Sequence, residues 1–445
     1  MGKYFGTDGF RAEVNNGLCA EHAYKIGRFV GYHYSKSGKK ARVLIGRDTR
    51  LSGRMLEGAL CAGLSSSGAD VYLLGVITTS AVSFLMGEGF DLGIVITASH
   101  NPYSDNGIKI MDAKGQKLPD SEIELIEGYI DGEESVPLKT GAEIGKIIDY
   151  TDGAKTYIKH LTSLFPMSLN GMKIGIDTAN GAGCEIAKEV FSTLGAQIYT
   201  LGAEPNGINI NDGCGSTHID ALGALVKQNG LDFGFALDGD GDRCIGIDEK
   251  GCEVDGDKIM YIIATSLMRR GMLDKSAVVA TVMSNGGFEE ALKENGINCV
   301  RCAVGDRFVY EEMCSGGYCL GGEQSGHIII KRYAKTGDGI LTALALTYEI
   351  INNGSLSSLC QGVKPYPQAS ISVRVNNKDA VLENMSVKDK ISQVRAQIKG
   401  GRVLIRKSGT EPVIRVMVEC KDATECEKYA VEIAEEIKRA NTYAN

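Results

Sequence analysis

The sequence predicts an α/β protein of four domains, in which three related α/β domains with mixed sheets and helices precede a smaller C-terminal α+β domain. One strand-helix-strand pattern occurs three times, at 41–71, 173–199 and 277–300. The chain has 445 residues, which is too long for a single hydrophobic core. The segment 368–445 lacks the repeated pattern and alternates strands with two helices.

Each copy of the pattern has the same order of parts. The first reads RVLIG, the turn RDTRLSG, the amphipathic helix RMLEGALCAGLSSS and a Gly-Ala step into the next strand. The second reads KIGID, TANGAG, CEIAKEVFSTL and GAQIY, and the third reads AVVATV, MSNGG, FEEALKEN and GINCV. Three copies indicate three α/β domains with related sheets and not one large sheet.

Boundaries follow from the spacing of the copies. They are expected near Tyr150, near 248–250 and at Pro365–Pro367, where two prolines favour a stiff linker. The predicted domains are 1–150, 151–250, 251–366 and 367–445. In the last one, SISVRV, GRVLIR and VIRVMVE are predicted strands, and SVKDKISQVRAQIK and TECEKYAVEIAEEIKRAN are predicted helices.

The composition is that of a soluble globular protein. Net charge is −8 and no run of Lys and Arg forms a basic stripe, which argues against a nucleic-acid partner. No apolar leader and no stretch of membrane-spanning length occurs, so the sequence favours a cytoplasmic protein with no membrane partner. The 13 cysteines are expected to be reduced core thiols, including Cys299 and Cys302, whose C-x-x-C has no second pair at zinc-ribbon spacing.

The stretch 93–109, GIVITASHNPYSDNGIK, places a serine at the end of a predicted buried strand. Ile94–Ile96 form a β-branched run, and the turn formers that follow carry Ser99 and His100. Lys109 returns a cation to the same loop system. A hydroxyl beside cations suits phosphate chemistry better than acyl transfer, because no G-x-S-x-G elbow is present. A plain Ser/Asn turn leaving a core strand is the alternative.

Three carboxylates alternate with glycines in LDFGFALDGDGDRCIGID at 231–248. Asp238, Asp240 and Asp242 can converge on a hard cation such as Mg²⁺, because the glycines let the turn fold tightly. An EF-hand is disfavoured, since Arg243 occupies the position that needs glycine and a strand precedes the loop. A solvated acidic turn is the remaining alternative.

The segment GGEQSGH at 321–327 brings a carboxylate, a hydroxyl and an imidazole into one glycine-rich loop. Glu323, Ser325 and His327 offer the donors and acceptors that sugar hydroxyls require, although a polar turn fits the pattern equally well.

The segment RVLIRKSGTEPVIR at 402–415 has the outline of a phosphate clamp. Its turn, Ser408–Gly409–Thr410, lies between two strands and is flanked by Arg406, Lys407 and Arg415. A plain hairpin turn is the alternative.

Two further arginines are candidates for contacts with a phosphate or sugar. Arg11 lies in GTDGFR and Arg307 in VGDRF, and either one is equally compatible with a surface ion pair.

The motifs TASHNP, DGDGDR, GEQSGH and RKSGTEP occur in this order, one in each predicted domain. The chain thereby resembles the α-D-phosphohexomutase family over its full length. GTDGFR, NINDGCGSTH at 209–218, and Gln324 resemble the members that act on an amino sugar. The N-terminal motif departs from the family's GTDGIRG at Phe10 and Ala12.

The resemblance implies four domains around a central cleft and an intramolecular phosphotransferase, that is, an isomerase. It implies that Ser99 is carried as phosphoserine and that one Mg²⁺ is held by Asp238, Asp240, Asp242 and the phosphoserine oxygen. GEQSGH would contact the sugar, and SGTEP the phosphate that is not reacting.

The implied substrate is a small phosphosugar. Glucosamine 6-phosphate and glucosamine 1-phosphate would interconvert through a bisphosphate, feeding UDP-N-acetylglucosamine and cell-wall precursor synthesis, and a sugar 1,6-bisphosphate would prime Ser99. Arg243 would neutralise charge, and Lys109, His100 and His327 are the candidates for proton transfer. Mutases of glucose or mannose phosphates, a metal-dependent phosphatase and a non-catalytic phosphosugar-binding protein are the alternatives. Family members often form dimers, so a homodimer is expected, although the sequence identifies no interface.

Overall fold

The computed structural model describes residues 2–35, 39–133, 135–398, 400–407 and 412–443. The chain divides into two compact units, 1–283 with 295–361 and 284–294 with 362–445. Three sheets belong to the first unit and one to the second. Among the described residues, no helix combines the length and the apolar character needed to cross a bilayer.

The first sheet has the strand order β1-β2-β6-β5-β3-β4-β7. Its strands are β1 (Phe5–Gly6), β2 (Gly9–Glu13), β3 (Arg42–Arg47), β4 (Asp70–Val76), β5 (Leu92–Ile96), β6 (Asp105–Met111) and β7 (Ile147–Asp149), and the same stretch contributes the helices α1 (Ala20–Tyr34), α2 (Gly53–Ser66), α3 (Thr79–Leu85) and α4 (Asp120–Asp131). The backbones of helices α1 and α2 lie close together. A Cβ atom added to Gly63 would be only 2.3 Å from Tyr24 O, so this contact requires glycine. Ile26, Leu60 and Ile94 are fully buried in the core beneath them.

The second sheet has the order β12-β11-β10-β8-β9. Its strands are β8 (Lys173–Asp177), β9 (Gln197–Leu201), β10 (Phe233–Leu237), β11 (Cys244–Ile247) and β12 (Glu253–Val254), and the helices of this stretch are α5 (Gly153–Leu164), α6 (Cys184–Thr193) and α7 (Asp220–Asn229).

The third sheet has the order β14-β13-β15-β16. Its strands are β13 (Ala277–Thr281), β14 (Asn298–Cys302), β15 (Leu320–Gly322) and β16 (Ile328–Ile330), accompanied by α8 (Gly256–Arg269), α10 (Asp306–Gly316), α11 (Gly339–Asn353) and α12 (Leu356–Leu359). All 13 cysteines are free thiols. The expectation of core thiols is wrong for Cys252 and Cys314, which are exposed, and for Cys299 and Cys302, which are only partly buried because β14 is the edge strand of its sheet.

One four-stranded unit recurs in all three sheets, with the orders β4-β3-β5-β6, β9-β8-β10-β11 and β14-β13-β15-β16. In each of these four-stranded motifs the first three strands are parallel and the fourth is antiparallel to its neighbour. The prediction of three related α/β domains with mixed sheets is confirmed. In each four-stranded motif the loop between the third and fourth strands carries one of the segments TASHNP, DGDGDR and GEQSGH.

The second unit contains an antiparallel sheet of order β17-β19-β18. Its elements are β17 (Gln368–Arg374), β18 (Arg402–Lys407) and β19 (Val413–Glu419), with the helices α9 (Gly286–Glu294), α13 (Lys378–Glu383), α14 (Met385–Gln397) and α15 (Ala423–Tyr443). The predicted strands and helices of this segment are confirmed, and α13 is an addition. Helix α9, which sequence pattern assigns to the third domain, clusters here: Asn285 and Tyr366 exchange hydrogen bonds of 3.0 and 2.8 Å, and Gly286 N donates to Glu419 Oε1 at 3.0 Å.

Candidate active site

Ser99 lies just past the end of β5, where its side chain meets the second domain. Its Oγ donates to Asp238 Oδ2 at 2.6 Å and lies 3.4 Å from His100 Nδ1. Ser99 is 1% exposed and has a left-handed backbone, with φ of 52°. Such a conformation costs a residue other than glycine about 1 kcal/mol or more, so the surrounding structure must hold the loop in place.

Arg50 holds the serine loop from beneath. Its guanidinium donates to four backbone carbonyls of the loop, at Ser99 (3.0 Å), Asn101 (2.8 Å), Asp105 (2.9 Å) and Pro102. The fifth N–H, on Nε, donates to Asp48 Oδ2 at 2.9 Å. All five donors of this buried side chain are therefore used.

Asn211 grips the same loop from the second domain. Its Nδ2 donates to Ser99 O at 2.9 Å and to Asn101 O at 3.0 Å. Asn211 belongs to NINDGCGSTH, a motif to which the sequence assigned no role.

Asp238, Asp240 and Asp242 follow β10 and form the predicted acidic triad. One oxygen of each lies within 4.8 Å of the others, and all three residues are buried. Burial, and then the charges of Asp242 and Asp240, raise the pKa of Asp238 well above its usual range. Asp240 Oδ1 and Asp242 Oδ1 accept no hydrogen bond from the described residues. Clustered carboxylate oxygens with unused lone pairs fit a hard divalent cation such as Mg²⁺.

Lys109, on β6, reaches the triad from the first domain. Its Nζ lies 2.8 Å from Asp240 Oδ2, 3.4 Å from Asp242 Oδ2 and 3.1 Å from Asp8 Oδ2. Burial lowers the pKa of Lys109, but these three carboxylates outweigh burial and raise it above the usual value. The side chain is therefore a fixed cation. Thr79 adds a further contact between the domains, since its Oγ1 donates to Asp240 Oδ2 at 2.6 Å.

His100 and Arg243 flank the serine and the triad. Burial, with the nearby Arg243 and Arg11, lowers the pKa of His100 to about 4, so the imidazole is neutral at pH 7. Arg243 Nε lies 4.0 Å from both Asp238 Oδ2 and Asp242 Oδ1. The site thus combines a hydroxyl, an unprotonated imidazole and two cations.

The GEQSGH loop joins β15 to β16, and its three candidate residues have different environments. Glu323 Oε1 accepts from Gly305 N at 3.1 Å, whereas Ser325 is exposed. His327 is buried, and its Nε2 accepts from Gly337 N at 3.0 Å. Its Nδ1 faces Asp242 Oδ1 at 3.6 Å.

A cavity of about 620 Å³ opens beside these groups within the first unit. Lys109, Asp242, Arg307 and His327 line it. Arg307, on α10, pairs with Asp120 and Glu311, so it is ion-paired as well as facing the cavity. The other described residues of the predicted site do not line this cavity: Ser99, His100, Asp238, Asp240, Arg243, Arg11, Glu323 and Ser325. Arg11 pairs with Asp8.

The candidate phosphate clamp belongs to the second unit. Arg406 on β18 stands directly opposite Arg415 on β19, and both side chains are exposed. Two neighbouring guanidinium groups can donate several hydrogen bonds to one phosphate, which is compatible with the predicted clamp. Ser408, Gly409 and Thr410 lie outside the described residues.

Sequence reasoning missed five groups that shape this site: Arg50, Thr79, Asn211, Asp8 and Lys117. Asp8 lies in GTDGFR, three residues before the predicted Arg11 and next to Thr7, so a polar turn was the available signal. Lys117 joins Asp8 to Asp306, at 2.6 and 2.7 Å.

Four family models match the chain in succession, and together they span most of it. They describe phosphoglucomutase/phosphomannomutase alpha/beta/alpha domains I, II and III, at 2–137, 155–251 and 255–366, and the C-terminal domain, at 371–436. The chain belongs to the phosphoglucomutase/phosphomannomutase family. The predicted membership of the phosphohexomutases is thereby confirmed.

Full-length relatives narrow the likeness within this phosphoglucomutase/phosphomannomutase family. A phosphoglucosamine mutase from Geobacillus thermodenitrificans is 51% identical over 443 residues, covering 99% of both chains. Another from Lachnoclostridium phytofermentans is 48% identical over 434 residues, covering 97% of both. The prediction of a closer likeness to members acting on an amino sugar is confirmed by these names.

Solved structures of the phosphoglucomutase/phosphomannomutase fold agree with the architecture. A family protein from Burkholderia thailandensis superposes with a TM-score of 0.81 at 24% identity, over 100% of this chain and 99% of that one. N-acetylphosphoglucosamine mutase of Aspergillus fumigatus, in complex with GlcNAc-6P and magnesium, gives 0.66 at 17% identity, over 98% and 96%. At these identities the likeness concerns the fold.

Proposed function

We propose that this chain interconverts glucosamine 6-phosphate and glucosamine 1-phosphate, with Ser99 as the phosphoryl carrier. The observation that carries the proposal is the buried contact of 2.6 Å between Ser99 Oγ and Asp238, a member of the acidic triad. The full-length likeness to phosphoglucosamine mutases supports the choice of substrate.

The reaction moves one phosphoryl group and returns another. In the first half, the bond between phosphorus and Ser99 Oγ breaks while a bond forms to the free hydroxyl of the sugar phosphate, giving a bisphosphate. After the sugar turns over, its other phosphoryl group passes back to Ser99. The transition state carries charge on the equatorial oxygens, which Lys109 and Arg243 are placed to neutralise.

The acidic triad is the proposed magnesium site. Asp238, Asp240, Asp242 and an oxygen of the serine phosphate would hold Mg²⁺, which supplies charge neutralisation at the phosphoryl group. The two carboxylate oxygens without hydrogen bonds support this assignment.

In each half-reaction a proton passes, in net terms, between the sugar hydroxyl and Ser99 Oγ. Of the candidates, His100 has a ring nitrogen 3.4 Å from that oxygen. Lys109 is bound by three carboxylates and therefore acts as a cation. His327 lines the cavity, where its Nδ1 lies 3.6 Å from Asp242 Oδ1. We assign proton transfer to His100 on this geometry.

Arg11, Arg307, Glu323, Ser325 and His327 are the proposed sugar and phosphate contacts. Arg406 and Arg415, with Ser408, Gly409 and Thr410, are proposed to bind a substrate phosphate. A sugar 1,6-bisphosphate as primer, a cytoplasmic location and a homodimer are further proposals, supported by the family resemblance.

The test is turnover of glucosamine 6-phosphate against glucose 6-phosphate and mannose 6-phosphate, with Mg²⁺ and a trace of sugar bisphosphate. Ser99→Ala is expected to abolish isomerisation. Ser104→Ala is the matched control, since it changes an exposed serine of the same loop, and it should keep full activity.

Three outcomes count against the proposal. Preference for a neutral sugar phosphate would move the assignment to the sister mutases. Steady phosphate release without isomerisation would indicate a phosphatase. Near-normal turnover by Ser99→Ala would contradict the phosphoserine.

A further inference from the structure

Asp8 lies in the turn between β1 and β2 and contacts three cationic side chains. Its Oδ2 lies 3.1 Å from Lys109 Nζ and also pairs with Arg11, and its Oδ1 lies 2.6 Å from Lys117 Nζ. Lys117 is held on its other side by Asp306, at 2.7 Å. Since both oxygens of Asp8 are engaged by fixed partners, the orientation of its carboxylate is defined.

The backbone places Asp8 beside Lys109. Gly9 has φ of 87°, and a Cβ there would lie 2.6 Å from Ile108 O. Phe10 stands opposite Ile108 in the antiparallel pairing of β2 with β6. The turn therefore rests against β6 at the residue that precedes Lys109, and this contact requires glycine. The position of Asp8 follows from the sheet itself.

Lys109 has three carboxylate partners, and two of them belong to the acidic triad. A divalent cation on the triad would bind the carboxylates of Asp240 and Asp242 and would repel the ammonium group of Lys109. Among the described residues, Asp8 is the one carboxylate partner of Lys109 that lies outside the triad. It remains available when the triad is occupied.

We propose that Asp8 is a positioning residue that holds Lys109 beside the reacting phosphoryl group when a divalent cation occupies the triad. The inference rests on the proposed function, because it gives an orienting partner to a proposed catalytic side chain. Asp8 acts through Lys109, and its charge also balances Arg11 and Lys117.

The kinetic test compares Asp8→Asn with Asp306→Asn, which removes the same charge from the far side of Lys117. Asp8→Asn is expected to lower kcat by about 10- to 100-fold, the loss typical of a misplaced catalytic group. Its KM should change by less than about threefold, because ground-state binding is retained. Asp8→Glu, which keeps the charge, should recover part of kcat.

A double-mutant cycle separates positioning from general damage. In the Lys109→Gln background, Asp8→Asn should cause no further loss, whereas the effect of Asp306→Asn should be the same in both backgrounds. An equal fold-loss from Asp8→Asn with and without Lys109 would overturn the proposal, and so would a kcat within about twofold of wild type.

Crystal structures of the Mg²⁺-loaded wild type and of Asp8→Asn give a readout that needs no turnover. Lys109 Nζ is expected to stay within hydrogen-bond distance of Asp8 in the wild type and to move away in the variant. Separation of Lys109 from Asp8 in the loaded wild type would overturn the inference, even if Asp8→Asn did not fold. A wild type without mutase activity would contradict the proposed function alone, and the loaded structures would still decide the role of Asp8.

Discussion

Arg50 fixes the geometry of the loop that carries Ser99 by binding the backbone of that loop. Its five N–H donors bind four loop carbonyls and Asp48, and the side chain is fully buried. A guanidinium can serve five acceptors in one plane, whereas an ammonium group has three donors at a single point. The left-handed backbone of Ser99 is maintained by this set of contacts.

Arg50→Lys is therefore expected to lower kcat by about 10- to 100-fold and the free energy of unfolding by about 3 kcal/mol. Kinetics and denaturant unfolding would measure the two effects. Arg54→Lys, which changes an exposed arginine in the first turn of α2, is the matched control and should change neither quantity. Wild-type kcat in Arg50→Lys would show that the loop keeps its shape without the guanidinium.

At the scale of an element, Asp338 caps the N-terminus of α11 in a buried position. Its carboxylate accepts from Leu341 N at 2.9 Å and from Tyr157 OH at 2.7 Å. Burial raises the pKa of Asp338 from 3.8 to about 6, because the hydrogen bonds only partly offset the loss of solvation. The folded state therefore favours the protonated acid.

The sign of the pH effect follows from that direction. The stabilisation from Asp338 is complete below its unfolded pKa of 3.8 and is lost as pH rises through about 6. Asp338→Asn, which is neutral at every pH and remains a good cap, should gain up to about 3 kcal/mol relative to wild type between acid and neutral pH. Urea unfolding of both proteins from pH 3.5 to 7.5 measures the difference. A difference in the free energy of unfolding that stays constant with pH would refute a raised pKa for the buried carboxyl of Asp338.

Local patterns predict elements better than they predict sites. The strand ends that carry Ser99 and Asp238 were predictable, because β-branched runs followed by turn formers are signals within a few residues. The contact between those two residues spans 139 positions, and the one between Lys109 and Asp240 spans 131. Arg50 reads as a turn residue in RDTRLSG, since its acceptors are carbonyls that any sequence would supply. The periodicity of α9 likewise does not reveal which unit it packs against.

At the scale of the whole molecule, the triad links two sheets of the first unit. Asp238 contacts Ser99, and Asp240 contacts Thr79 and Lys109, all on the first sheet's elements or loops. A cation bound at the triad, as proposed, would stabilise both the folded protein and the docking of the two domains, because its ligand oxygens come from the assembled site.

Mg²⁺ added to metal-stripped protein is expected to raise the Tm, with a stabilisation of about 3 kcal/mol at a hundredfold excess over Kd. Asp240→Asn should lose most of this response, whereas Asp212→Asn, an exposed carboxylate of the same domain, should keep it. Calorimetry with and without chelator measures both. An unchanged Tm for wild type would argue against a metal site at the triad.

The recurrence of one four-stranded unit has a consequence for how members of such a family can diverge. The TASHNP, DGDGDR and GEQSGH loops occupy the same connection on three separate sheets. A change in the length or sequence of the GEQSGH loop leaves the strands beneath the other two loops untouched. If the GEQSGH loop contacts the sugar, as proposed, exchanging 323–326 between sister mutases would alter sugar specificity while keeping His327, which faces Asp242 of the triad.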